Sequence, residues 1–391
     1  MPDVFVTRQP LVNRQSKIIA TRLTLHLEGG ATTKDAANTL SALAEFWPQG
    51  EKLVFINPGN TPCTAALFEW QIPANATIEV RSASLLEPGS EAFIAALQAA
   101  QSSLCLVYDA QAQAALAAGI PFRFIAFDAQ RHTPAQLRIL ATQTQPFGIG
   151  VAFNVNDGPA FQACLDAGVN AAASWFFTHP TKAPAKALNS GQAQIVRVLN
   201  LVRKNADVKE IEAALKQDVA LSYKLLRYIN SAGFGLSCEV QSFRHAVTIL
   251  GYNKLNKWLS LLLATASKDP MAPALMHTAL TRARLMEVLA NGLVDSQEYD
   301  NLFITGAFSM LDALLGVAME KVLESMSLPE PISDALLGNG GVYAPFLELA
   351  KASESDDGNA IAEQAGMLGL TAVQFNRAQM QALSFADTME L

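Results

Sequence analysis

Two unlike halves are predicted: an α/β region forming a small or incomplete (β/α) barrel, then an all-helical domain. Three observations carry that prediction. Up to about residue 178, short apolar runs alternate with alanine-rich helical stretches, the pattern of parallel strands covered by helices. After residue 192 the apolar residues recur at helical spacing and no strand pattern returns. Between them the stretch THPTKAPAKALNSG, rich in Pro, Ala and Lys without an apolar period, reads as a linker. The domains are therefore set at 1–178 and 193–391, joined by 179–192.

In the first half, Val4-Phe5-Val6 leads through Arg8-Gln9-Pro10-Leu11-Val12, and Ile18-Ile19-Ala20 precedes Leu23, which suggests strand, turn and strand. Further strands are placed at Leu53–Ile56, Thr77–Val80, Leu104–Tyr108, Phe122–Phe127, Gly148–Phe153 and Val169–Ala172. Helices are expected at Thr33–Glu45, Glu91–Ala100, Ala110–Ala118, Pro134–Thr142 and Ala160–Ala167. Seven or so such repeats suit a (β/α) barrel.

In the second half, Gln194–Arg203 is helical, and Asp207 with Glu210 reads as a capping box ahead of Ile211 and Leu215. Asp218 is a helix N-cap; Leu221, Leu225 and Ile229 then recur every fourth residue on one buried face. Asn230-Ser231-Ala232-Gly233-Phe234-Gly235 ends that helix, since Asn and Gly tolerate a left-handed backbone. A second helix carries Ala246, Val247 and Leu250 and stops at Gly251, and a third buries Leu255, Trp258, Leu259 and Leu262. Long helices follow near Met271–Leu293 and Tyr299–Leu323, with shorter ones near Ile332–Leu337 and Val342–Lys351. Ser353–Asn359, with three acids and Gly358, reads as a solvated loop, and Thr371 with Gln374 starts a last helix that buries Phe375, Met380 and Leu383.

Composition narrows the function classes. Half of the 391 residues are hydrophobic and 16% are charged, so the chain folds into cores. A net charge of −7 gives no general attraction to nucleic-acid phosphates or anionic lipid. The charge is lopsided, with 13 basic against 6 acidic residues in 181–270 and 5 against 16 in 271–391. Solvated helix faces explain that better than a nucleic-acid platform, because Tyr223, Tyr228 and Trp258 are equally well placed as core or rim. Cysteines 63, 105, 164 and 238 form no CxxC pair and suit reduced thiols. The opening MPDVFVTRQP lacks a signal-peptide layout, and the apolar run at Trp258–Ala266 is too short to span a bilayer. A cytoplasmic protein is expected. Gly338-Asn339-Gly340-Gly341 and Gly148-Ile149-Gly150 lack the remainder of a phosphate or dinucleotide fingerprint, and there is no Gly-x-Ser-x-Gly elbow.

Asp218, Leu225-Leu226, Ile229-Asn230-Ser231-Ala232-Gly233 and Arg244-His245-Ala246-Val247-Thr248-Ile249-Leu250-Gly251 together resemble the signature of the HDOD domain. That family is related to HD phosphohydrolases but regarded as non-catalytic. An active relative needs adjacent His-Asp and further ligands for its metals. Here none of His26, His132, His179, His245 and His277 precedes Asp, and the equivalent stretch is Ala307-Phe308-Ser309-Met310-Leu311-Asp312. Asp312 is left as a structural carboxylate, and His245 as a semi-buried histidine between helices.

The first half resembles an EAL domain, the barrel that hydrolyses cyclic di-GMP with divalent metals, on Val6-Thr7-Arg8-Gln9-Pro10-Leu11 and on the Asn57, Asp109 and Asp128 strands. The naming motif falls on Thr21-Arg22-Leu23, which sets arginine where the resemblance implies a metal-binding glutamate. The later positions fall on Glu79-Val80-Arg81, Asp109-Ala110, Phe153 and Ala173-Ser174. Asn57, Asp109 and Asp128 remain, too few for a two-metal cluster. No catalytic residue, metal ligand or cofactor is therefore expected. The implied function is a non-enzymatic bacterial signalling protein that contacts protein partners in motility, biofilm or stress control. Asp218, Asn230, Ser231, Gly233, His245 and Gly251 are the candidate interaction residues. Cyclic di-GMP, nucleic acid and membrane are not expected partners, and a homodimer is compatible with the reading. Two alternatives stay open: a sensor that binds cyclic di-GMP through Arg8, Arg22 or Arg81 without cutting it, and a phosphodiesterase with an unusual metal site.

Overall fold

Eight strands close into a barrel in the order β1 to β8: Val4–Asn13, Ile18–Leu27, Leu53–Asn57, Ala76–Arg81, Ser103–Val107, Phe124–Asp128, Ile149–Phe153 and Ala171–Ala173. In this computed structural model, residues 3–27, 30–59, 63–100, 102–178, 188–217, 243–265, 267 and 269–389 are described. β1 runs antiparallel to both neighbours, pairing Thr7 with Thr24 on β2 and Leu11 with Ala173 on β8. The other strands are parallel, as βαβ crossovers require. The barrel is thus small but closed.

Alternation along each strand decides what fills it. Leu11, Ala20, Phe55, Cys105, Phe124, Ala126, Val151, Phe153, Ala171 and Ala173 form one buried interior cluster. Large rings meet small residues there: Phe55 and Phe124 pack edge to face at 5.0 Å, while β8 contributes alanines alone. Outside, helices Thr33–Leu43, Glu91–Ala99, Pro134–Thr144 and Gly158–Asp166 lie close to their expected positions. Thr32 with Asp35 and Thr133 with Gln136 form capping boxes at two of them.

The chain divides into two compact units, Met1–His179 with Lys351–Met380, and Pro180–Ala350 with Gln381–Leu391. The barrel unit therefore takes in a late segment of the sequence, and the pairing of β1 shows why. β8 reaches β1 only at Leu11–Asn13, so the backbone from Val4 to Arg8 needs other partners. Asn376 and Gln379, one helical turn apart, supply them. Asn376 Oδ1 accepts from the Val6 amide at 3.1 Å and its Nδ2 donates to the Val4 carbonyl at 2.7 Å. Gln379 Nε2 donates to the Val6 carbonyl at 2.8 Å, and the Arg8 amide donates to the Ser353 carbonyl at 2.8 Å.

The expected solvated loop at Ser353–Asn359 holds for Ser355, Asp356 and Asp357, which are exposed, and is corrected at its two ends. Ser353 is fully buried, and its hydroxyl accepts from Arg8 Nη1 at 2.7 Å. An unanticipated helix, Gly358–Met367, starts from the Asp357 cap. The last helix, Ala372–Thr388, has the Thr371–Gln374 capping box read from the sequence.

The helical unit opens with Ser190–Arg203, capped by Asn189 and Gln192. Val208–Lys216 follows, where Asp207 caps through the Lys209 amide and not through the expected box with Glu210. Phe243–Thr265 is interrupted at Gly251, whose φ of 72° is non-helical; Leu255, Leu259 and Leu262 beyond it are buried. The long helix expected at Tyr299–Leu323 is instead three: Tyr299–Phe308, Leu311–Leu315 and Met319–Glu324. Gly316 at φ 64° ends the second, while the Ser309 hydroxyl folds back to the Gly306 carbonyl at 2.7 Å at the end of the first. No described helix is long and apolar enough to cross a membrane.

Candidate functional site

In a parallel barrel the carboxyl ends of the strands converge on one face, where functional side chains collect. Thr24 on β2 lies opposite Asn57, the last residue of β3; Arg81 ends β4 and Asp128 ends β6. Arg22 lies two residues before Thr24 on β2, and Glu79 two residues before Arg81 on β4. Arg22 Nε donates to Glu79 Oε1 at 2.7 Å and Nη2 to Oε2 at 2.9 Å, with side-chain exposures of 11% and 1%. The guanidinium carbon lies 4.2 Å from the centre of the Phe153 ring. Burial alone pushes the Arg22 pKa down; the charge and hydrogen bonds of Glu79, helped by Asp356 and Cys105, outweigh it and raise the pKa.

The retained polar residues have local duties. Asn57 Nδ2 donates to Thr24 Oγ1 at 3.2 Å, and its Oδ1 accepts from the Gly59 amide at 3.2 Å. Arg81 Nη2 donates to the Gly59 carbonyl at 2.6 Å. Asp109 and Asp128 each accept from the amide two residues on, Gln111 and Gln130, both at 2.9 Å. Asp128 also pairs with Arg131 at 3.3 Å, and its carbonyl lies 2.9 Å from His132 Nδ1. His26 Nε2 lies 2.9 Å from Thr7 Oγ1 at the β1–β2 rim. Ser353–Gly358 occupies that rim, where Glu354 Oε1 receives Arg8 Nη2 at 2.6 Å, and a Cβ on Gly358 would fall 2.6 Å from the His26 Cβ.

This donor set does not fit a pair of divalent cations. The carboxylate at the centre, Glu79, is already neutralised by a buried guanidinium, and a cation beside Arg22 would be repelled. Sequence reasoning identified Arg22 and Glu79 separately but missed their pairing. The available signal was that both point inward on neighbouring-but-one strands, where a buried arginine requires a carboxylate.

Among the helical-domain candidates, Asp218, Asn230, Ser231 and Gly233 lie outside the described residues, as does Cys238. His245 falls within helix Phe243–Thr265, its side chain outside the description, and Gly251 marks that helix's kink. Asp312 Oδ1 accepts from the Ala313 amide at 2.8 Å, and Ser309 Oγ accepts from Arg282 Nη1 at 2.9 Å. Among the described residues no three His, Cys, Asp or Glu side chains form a metal-holding group.

Residues 188–325 match the HDOD domain family. The uncharacterized protein YuxH of Bacillus subtilis (strain 168) is 26% identical over 224 residues, 56% of this chain and 54% of the relative. The cyclic di-GMP phosphodiesterase CdgJ of Vibrio cholerae is 27% identical over 220 residues, 56% of this chain and 51% of the relative. The chain thus spans about half the length of the curated relatives it matches. Among solved structures, the Xanthomonas citri FimX EAL domain in complex with c-diGMP aligns at TM-score 0.33 and 13% identity, covering 44% of this chain and 86% of that one. The EAL domain of Mycobacterium smegmatis DcpA aligns at 0.35 and 14%, covering 44% and 90%. The chain carries an HDOD domain at residues 188–325, after a closed eight-stranded barrel whose structural neighbours are EAL domains.

Proposed function

We propose that this chain is a non-enzymatic signalling protein in cyclic di-GMP-related control of motility, biofilm formation or stress, acting through protein–protein contacts. The carrying observation is the buried Arg22–Glu79 pair at the heart of the barrel face. A hydrolase of the EAL kind needs carboxylates free to hold cations that activate water. Here the central carboxylate holds an arginine, and Asp109 and Asp128 accept from backbone amides. The 27% identity to a protein named a cyclic di-GMP phosphodiesterase supports the signalling context, and the HDOD match supports a binding role.

A sensor that binds the dinucleotide has less support. Arg8 pairs with Glu354, Arg22 with Glu79, and Arg81 with the Gly59 carbonyl, so a phosphate would have to displace existing partners. The test is incubation of the purified chain with cyclic di-GMP and Mg²⁺ or Mn²⁺, with chromatography for the linear dinucleotide and titration calorimetry for binding. Neither product nor heat is expected. Metal-dependent product above a protein-free blank would overturn the reading.

A further inference from the structure

A cavity of about 390 Å³ in the helical unit is lined by Arg203, Asn205, Asn253, Asn256 and Asn301 among others, and among the described residues no carboxylate lines it. Arg203 closes helix Ser190–Arg203. Its Nε donates to Asn256 Oδ1 at 2.8 Å and its Nη1 to the Ser327 carbonyl at 3.4 Å, with the Phe308 ring centre 5.5 Å from the guanidinium carbon. The remaining nitrogen, Nη2, is buried and has no hydrogen-bond partner among the described residues. Burial pushes the Arg203 pKa down to about 9, and no neighbouring charge among the described residues offsets it.

The Arg203 side chain is half-buried, and its one buried, unpartnered nitrogen is costly, because an unsatisfied buried donor keeps its desolvation penalty. The carbonyl end of its own helix supplies only a partial negative charge. A guanidinium fork matches the two oxygens of a carboxylate or phosphate, and Asn253 and Asn256 add neutral donors without repelling an anion, whereas the Asn301 amide already donates to Glu298 and Tyr343. The volume falls in the range of small-molecule sites. We propose that this cavity binds the oxyanion group, carboxylate or phosphate, of a small molecule, with Arg203 as its anchor. The site would give the helical unit a ligand input independent of how the barrel reading fares.

The test is thermal unfolding of the full chain in sodium phosphate, in succinate and in sodium chloride of matched ionic strength. A bound anion raises the wild-type Tm above the chloride control, growing with the logarithm of concentration. Phosphate acting alone assigns a phosphate ligand, and succinate acting alone a carboxylate; either supports the site. Arg203→Met should abolish the anion-specific rise, and so should Asn256→Asp, which places a fixed carboxylate beside the guanidinium while keeping the acceptor. If Arg203→Met does not fold, Asn256→Asp decides the matter. No rise with either anion in the wild type, or an equal rise in the variants, would overturn the proposal.

Discussion

Arg8 and Glu354, 346 positions apart in the chain, form a 2.6 Å ion pair with side-chain exposures of 2% and 8%. Gln379 Oε1 also accepts from Arg8 Nη1, at 3.3 Å, and the indole Nε1 of Trp175 donates to the Arg8 carbonyl at 3.2 Å. The pair is the charged centre of a seam in which β1 also meets the side-chain amides of Asn376 and Gln379 and the carbonyl and hydroxyl of Ser353. Two charges out of water attract strongly, but each was expensive to desolvate, so the seam is most sensitive to loss of one partner.

Glu354→Ala should therefore destabilise the barrel unit by about 3–5 kcal/mol, measured by urea unfolding, because buried Arg8 loses the carboxylate it pairs with. The apolar double variant Arg8→Met/Glu354→Leu should lose less than the single. A single-variant loss under about 1 kcal/mol would show that the pair behaves like a solvated surface bridge.

The Arg22–Glu79 pair makes a parallel prediction. Arg22→Met leaves a carboxylate of 1% exposure beside an apolar side chain. The variant should be less stable than wild type at neutral pH by about 3–5 kcal/mol. A loss under about 1 kcal/mol would refute the assignment of Arg22 as its neutralising group.

The barrel strands were legible because alternation and apolar runs are local signals: Leu53–Ile56 and Thr77–Val80 need only their own residues to announce themselves. Closure was not legible, since β8 is three alanines whose role depends on pairing with Leu11–Asn13 at the far end of the unit. Ser353–Asn359 misled for the same reason. Asp356 and Asp357 are solvated as read, but Glu354 looks so too until Arg8 is seen to require it. The break after Phe308 hid behind an uninterrupted apolar pattern, although Gly316 offered a stop signal. At the barrel face, the substitution of Arg22 was visible in the sequence; its bidentate partner required the fold.

Three cysteines give a test of burial. Cys63 and Cys164 have pKa values pushed by burial from 9.0 to about 11, and Cys105 is held well above 9.0, by burial first and then by the Glu79 charge. All three should resist a thiol reagent at pH 8 in the native protein and react after denaturation. A raised folded-state pKa also means that their contribution to stability is complete below about pH 9 and is lost as the pH climbs towards 11. Peptide mapping checks the first point; native-state labelling of any of the three faster than global unfolding would contradict it.

Two glycine substitutions of the same chemistry should act in opposite directions. Gly306 lies in helix Tyr299–Phe308 where a Cβ would come within 2.6 Å of both the Cα and N of Ala283 in helix Ala272–Leu289, backbone atoms that no rotamer change can move. Alanine would gain about 1 kcal/mol of helix propensity there, but overpacking costs about 1–3 kcal/mol, so the helices must separate and Gly306→Ala should lower the Tm. Gly366 lies in helix Gly358–Met367, with nothing within 4 Å of a Cβ. With no clash to offset the propensity gain, Gly366→Ala should stabilise by about 0.5–1 kcal/mol. Calorimetry on the two variants separates the effects, and a Gly306→Ala protein as stable as wild type would mean that the two helices are not in the close contact described.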